Sequence, residues 1–120
     1  MNPKLFAVAQ LILKELDQID EIEEFDGINE LYFIYKDTVF SIMKRSESTE
    51  FGEYSLYLYP KAKTIESVKH EFIHGDPENV FMLTLNASEN NTCRNVLTKI
   101  YTEILEKHLG LDEIFENLLN

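Results

Sequence analysis

A chain of 120 residues that is 44% hydrophobic, with eight Phe and six Tyr, carries enough apolar material for one domain with a real core, and disorder is disfavoured. Its 22 Asp and Glu outnumber 11 Lys and Arg, giving a net charge of −11 that repels phosphate backbones and anionic bilayers, so direct nucleic-acid and membrane-surface binding are disfavoured. The single cysteine, Cys93, excludes an intramolecular disulfide and a cysteine-based zinc cluster, and reads as a small core residue.

Asn2-Pro3 is a helix start, a capping residue followed by proline in the first turn. Leu5, Val8, Ile12, Leu16 and Ile19 then recur every three or four residues, which predicts a first helix from Pro3 to about Asp20. The same segment does not read as a signal peptide, because Lys14, Glu15 and Asp17 interleave with its apolar period and no small-residue cleavage site follows. Its apolar run also falls short of the roughly 20 residues a membrane span needs. The expected compartment is the cytoplasm.

Glu21–Asp26 reads as an acidic loop or a short edge strand, and Asp26-Gly27 as a turn. Glu30–Lys36 and Thr38–Arg45 are β-rich runs separated by Asp37, which predicts a tight hairpin without the Asn-Gly or Asp-Gly signature. Ser46–Gly52 reads as a polar loop, and Glu53–Tyr59 as a strand stopped by Pro60. A short helix is expected over Thr64–His74, ended by Gly75-Asp76-Pro77. A further strand is expected over Asn79–Asn86. A helix from Asn91 or Thr92 carries the stripe Val96, Ile100, Ile104 and Leu105, and Leu111–Leu119 forms a last short helix beyond a Gly110 cap. The expected fold class is α+β: one domain over residues 1–120, with a mostly antiparallel four-stranded sheet and helices packed on it, in the order α-β-β-β-α-β-α-α.

Alternation along the strands places Leu31, Phe33 and Tyr35 on one sheet face with Tyr54, Leu56 and Leu58. The other face receives Tyr32, Ile34, Tyr57 and Tyr59 and is rich in tyrosine. Such a face either lies under a helix or serves as an interface, where tyrosine combines apolar area with solubility.

His70-Glu71-Phe72-Ile73-His74 resembles the H-E-x-x-H motif of the zincin metalloproteases. That resemblance implies His70 and His74 as zinc ligands and Glu71 as general base toward a metal-bound water. The match covers five residues. Around it, Ile65, Val68 and Phe72 form the apolar face of the segment, with His70 and His74 roughly opposite, and the expected helix stops directly after His74. The remaining histidine, His108, lies on another helix, and no further ligand motif is present. Phosphate-binding glycine loops, a nucleophile elbow and calcium loops are absent.

Glu15, Asp17, Asp20, Glu21, Glu23, Glu24, Asp26 and Glu30 fall within sixteen residues with no basic residue among them. The bland account of such a run is a solvated connection; the functional one is a field that steers a basic protein. The leading expectation is therefore a non-catalytic module without a cofactor that binds and masks a basic protein. Asp20, Glu21, Glu23, Glu24 and Asp26 would supply the charge, and Tyr32, Tyr57 and Tyr59 the contact area. Small inhibitors, immunity proteins and phage anti-defence proteins share that profile. The alternative is a small zinc hydrolase built on His70, Glu71 and His74. A second alternative follows from the element order, which is similar in architecture alone to small acidic type III secretion chaperones and would imply a homodimer.

Overall fold

The computed structural model describes residues 1–46 and 53–120. Of the polar loop expected over Ser46–Gly52, Ser46 ends a strand and 47–52 lie outside the described residues. The chain is α+β. Its elements are α1 (Pro3–Lys14), β1 (Ile19–Phe25), β2 (Glu30–Tyr35), β3 (Thr38–Ser46), β4 (Glu53–Tyr59), α2 (Ile65–Ile73), β5 (Leu83–Asn86), α3 (Asn91–Leu109) and α4 (Leu111–Leu119). The sheet is an antiparallel meander, β1-β2-β3-β4-β5, with five strands where four were expected.

The added strand corrects the first helix. Asn2 caps α1 as expected, its side chain accepting from the Lys4 and Leu5 amides. The helix stops at Lys14, however, and a short turn over Leu16–Gln18 leads into β1. Leu16 and Ile19 still reach the core, from a turn and a strand respectively. Ile19, Ile22 and Phe25 repeat every third residue, which hides the alternation of a strand. A bulge explains the first interval: between Asp20↔Ile34 and Glu23↔Tyr32, β1 spends one residue more than β2, whereas Phe25 lies on the other face. Glu21, inside the bulge, has φ +47°, and Ile22 turns to the same core as Ile19.

The hairpin between β2 and β3 closes on Lys36 and Asp37, with φ +49° and +59°. Both residues are in the left-handed region that a two-residue type I′ turn requires. A non-glycine residue there is strained by about 1–2 kcal/mol, partly offset by the greater entropy glycine loses on folding. Asp37→Gly is expected to stabilise the protein by about 0.5 kcal/mol. An unchanged or lowered urea midpoint would contradict this reading of the turn.

Two clusters of buried side chains flank the sheet. On the first face, Leu31, Phe33, Phe40, Ile42 and Leu56 meet Leu5, Ala9 and Ile12 of α1 and Leu97, Ile100 and Ile104 of α3. The α3 stripe differs slightly from expectation, because Val96 and Leu105 are only partly buried while Cys93 and Leu97 are fully so. The Cys93 thiol donates to the Asn86 carbonyl at 3.2 Å, and burial raises its pKa, as suits a packed residue rather than a nucleophile. α3 begins at Asn91 as expected, and Asn90 caps it by accepting from the Cys93 amide at 2.8 Å. Gly110 ends the helix at φ +66°.

On the second face, Ile65 and Val68 of α2 pack on Tyr32, Val39 and Tyr59. Thr64 caps α2 by accepting from the Ser67 amide at 3.1 Å. The fourth expected strand is shorter than predicted: Pro77–Asn79 form a turn, and pairing with β4 begins at Leu83. Val80 and Met82 instead pack beside α2 on the second face. No helix among the described residues is long and apolar enough to cross a membrane.

Candidate functional site

The structure divides the acidic run in two. Glu15 accepts from the Tyr35 hydroxyl and lies 3.5 Å from the Lys36 ammonium. That hydrogen bond, with Lys36, holds the Glu15 carboxyl below the usual range. Glu23 pairs with Lys69 of α2 at 3.4 Å, and Glu24 with His108 of α3 at 2.8 Å. Consecutive residues of β1 thus face opposite sides of the sheet, and each meets a basic side chain from a different helix. Lys69 also donates to the Glu24 carbonyl at 3.0 Å, and Lys107 to the Leu16 and Ile19 carbonyls at 2.8 and 3.1 Å. Glu30 is buried. Exposed Asp17, Asp20, Glu21 and Asp26 make no ion pair among the described residues. The run has no basic residue in sequence, but folding brings Lys36, Lys69, Lys107 and His108 to it, so Glu23 and Glu24 hold the edge strand rather than stand free.

The tyrosines expected to offer contact area are also redistributed. Tyr32 and Tyr59 are 0% and 2% exposed and stack on each other beneath α2, with ring centroids 5.8 Å apart. Neither stands exposed at the outer surface. Tyr57 is half-buried and lines a cavity.

That cavity was not legible in the sequence. It lies where α2 leaves the second face uncovered and has a volume of about 420 Å³. Phe25, Tyr57 and Phe72 give it aromatic walls, and Met43 and Met82 add thioether surface. Its polar groups come from Glu30 and Tyr59. A second cavity of about 530 Å³ shares Phe25, Glu30 and Met43 and continues past Asp26 to Lys44 and Arg45. Glu30 therefore sits where the two meet.

Glu30 is 8% exposed, and its Oε2 accepts from the Ser41 hydroxyl at 2.8 Å. Ser41 has one proton and gives it to the carboxylate, so the 2.8 Å contact between Tyr59 and Ser41 has the Tyr59 hydroxyl donating. The result is a buried relay, Tyr59 to Ser41 to Glu30. Burial raises the Glu30 pKa, with Asp26 adding to the shift against the Ser41 hydrogen bond. Burial also pushes the Tyr59 hydroxyl up to about 12. The Tyr32 hydroxyl is raised by the same cause and has no hydrogen-bond partner among the described residues. An aromatic-walled cavity around an unpaired carboxyl is the local chemistry of a cation receptor.

His70 and His74 are exposed, their rings 5.3 Å apart and tilted by 52°. His74 caps the C-terminus of α2 rather than continuing the helix. Glu71 folds back so that its carboxylate lies against Gly75, in space that a Cβ there would need. Two histidines at this spacing can chelate a divalent ion with solvent completing the shell, whereas a hydrolytic zinc needs three protein ligands. No group of three metal-ligating side chains is assembled among the described residues, and His108 is at the far face with Glu24.

One further surface stands out. α4 exposes Ile114, Phe115, Leu118 and Leu119 on one side and carries Asp112, Glu113 and Glu116. Compared with protein-family models, with curated proteins and with solved structures, the chain matches none of them.

Proposed function

We propose that this domain is a non-catalytic binding module that engages and masks a basic protein, in the manner of an inhibitor or immunity protein. The observation that carries the proposal is the composition of one border of the sheet. Asp20, Glu21 and Asp26 are exposed and without ion pairs among the described residues, and the strand that bears Asp20 and Glu21 runs toward the Glu30 cavity. Fixed charge on a rigid strand steers a basic partner, and an adjoining apolar cavity gives a place for its side chains once docked.

The structure also selects the residues for the test. Reversing Glu23 or Glu24 would disturb the contacts to Lys69 and His108 and so confuse binding with stability. Asp20→Asn, Glu21→Gln and Asp26→Asn together remove three charges and leave those contacts in place. Asp26 has φ +58°, which asparagine tolerates. The triple variant is expected to fold normally and to bind the partner about tenfold more weakly at low salt, chiefly through a slower association rate. Surface plasmon resonance at two ionic strengths measures this, and an association rate equal to that of the unaltered domain would overturn the proposal.

A further inference from the structure

We propose that the cavity beside Glu30 receives one alkylammonium group with an apolar stem, the side chain of a lysine on the basic partner. This rests on the proposed function for the source of the cation, although the chemistry of the cavity is independent of it. Glu30 has no ion-pair partner among the described residues. A carboxylate 8% exposed without a cation is costly, and an incoming ammonium would supply the missing charge. Phe25, Tyr57 and Phe72 present ring surface to a cation, and Met43 and Met82 present pliable apolar surface to its methylene stem.

The hydrogen-bond geometry favours ammonium over guanidinium. A guanidinium fork needs both carboxylate oxygens in a bidentate contact. Oε2 of Glu30 already accepts from Ser41, so a guanidinium fork would have to share that oxygen with the serine, whereas an ammonium can act as a point charge on the other oxygen alone. A neutral or anionic ligand would leave the carboxylate uncompensated.

The groups that face Glu30 are Asp26, Ser41, Tyr32, Tyr57 and Tyr59. Lys44 and Arg45 line the outer cavity, and Lys69 on α2 stands over the Tyr32 ring, 5.9 Å from its centroid. Among the carboxyls here Glu30 is the one whose pKa burial raises, and the ammonium stays charged well above that range. Cation affinity therefore rises with pH as Glu30 ionises and is flat above that titration.

The test uses the full chain with methyl-labelled methionine, titrated with n-butylammonium and with neutral 1-pentanol while NMR follows Met43 and Met82. The expected result is that butylammonium shifts both methyl groups and pentanol binds at least tenfold more weakly. In Glu30→Gln, which keeps the shape and the Ser41 contact, butylammonium binding should also fall at least tenfold. The pH dependence in the unaltered chain gives the same answer without any substitution. Equal binding of pentanol, undiminished binding to Glu30→Gln, or a pH-independent affinity would overturn the proposal. A second arm uses the tripeptide acetyl-Gly-Lys-Gly-amide. It is expected to bind at least as tightly as butylammonium, and its exclusion while butylammonium binds would overturn the assignment to a lysine side chain. These probes carry one charge each and are titrated on the chain that keeps Asp20, Glu21 and Asp26. Their failure would sink the cavity assignment alone, and loss of steering in the triple variant is read separately.

Discussion

Ile100→Ala is expected to lower the unfolding free energy by about 2–5 kcal/mol. Ile100 lies in the middle of α3, is fully buried, and belongs to the cluster between α1, α3 and the sheet. Truncation removes three carbons from contact with that cluster and leaves a space that the surrounding helices and sheet close only in part. A domain of this size is stable by roughly 5–15 kcal/mol, so the loss is a large share of the total. Leu118→Ala is the control. Leu118 is 75% exposed on α4, and its truncation should change stability by no more than about 0.5 kcal/mol. Equal urea midpoints for the two variants would mean that the first-face cluster is not the core.

Removing the hydroxyls of the stacked pair Tyr32 and Tyr59 should have effects of opposite sign. The Tyr59 hydroxyl donates to Ser41, which in turn donates to Glu30, so Tyr59→Phe leaves the Ser41 oxygen short of a donor in a buried site. The expected cost is about 1–3 kcal/mol. The Tyr32 hydroxyl is buried without a partner among the described residues, and Tyr32→Phe relieves that desolvation. A gain of about 1 kcal/mol is expected. Both rings keep their stacking in either variant, so packing does not account for the difference. Parallel urea unfolding of the two variants decides it, and destabilisation by Tyr32→Phe would show that its hydroxyl is satisfied in solution.

Much of this architecture was readable from local chemistry. Asn2 and Gly110 act as the helix caps their positions suggested, because capping depends only on neighbouring backbone groups. Strict alternation in β2 and β4 assigned their side chains to the correct faces. The reading of Glu21–Asp26 as a loop or short edge strand stops short of the first residues of β1, because the bulge sets the core-facing Ile19 and Ile22 three residues apart, which continues the period of the preceding helix. The end of α1 is thus set by pairing with β2, a tertiary effect that periodicity cannot contain.

The site was legible only in part. The density of acidic residues was plain, but which of them stand free depends on Lys36, Lys69 and His108, drawn from distant segments. Glu30 looked like one more member of a solvated run. Its alternation with Tyr32 placed it on the second face, and that was the one available signal that it is buried. The H-E-x-x-H match was correctly placed on a helix surface, yet five residues in a row carry no information about a third ligand.

On the proposed function, the free acids at the β1 border bring a basic protein to this sheet. The most direct measurement is affinity capture with the unaltered domain and the Asp20→Asn/Glu21→Gln/Asp26→Asn variant in parallel, followed by hydrogen exchange on the purified complex. The expected result is one stoichiometric basic partner, weaker capture by the variant, loss of that difference at high salt, and protection centred on β1 and the residues around Glu30. A partner captured equally by both proteins at all ionic strengths, with protection elsewhere, would contradict it.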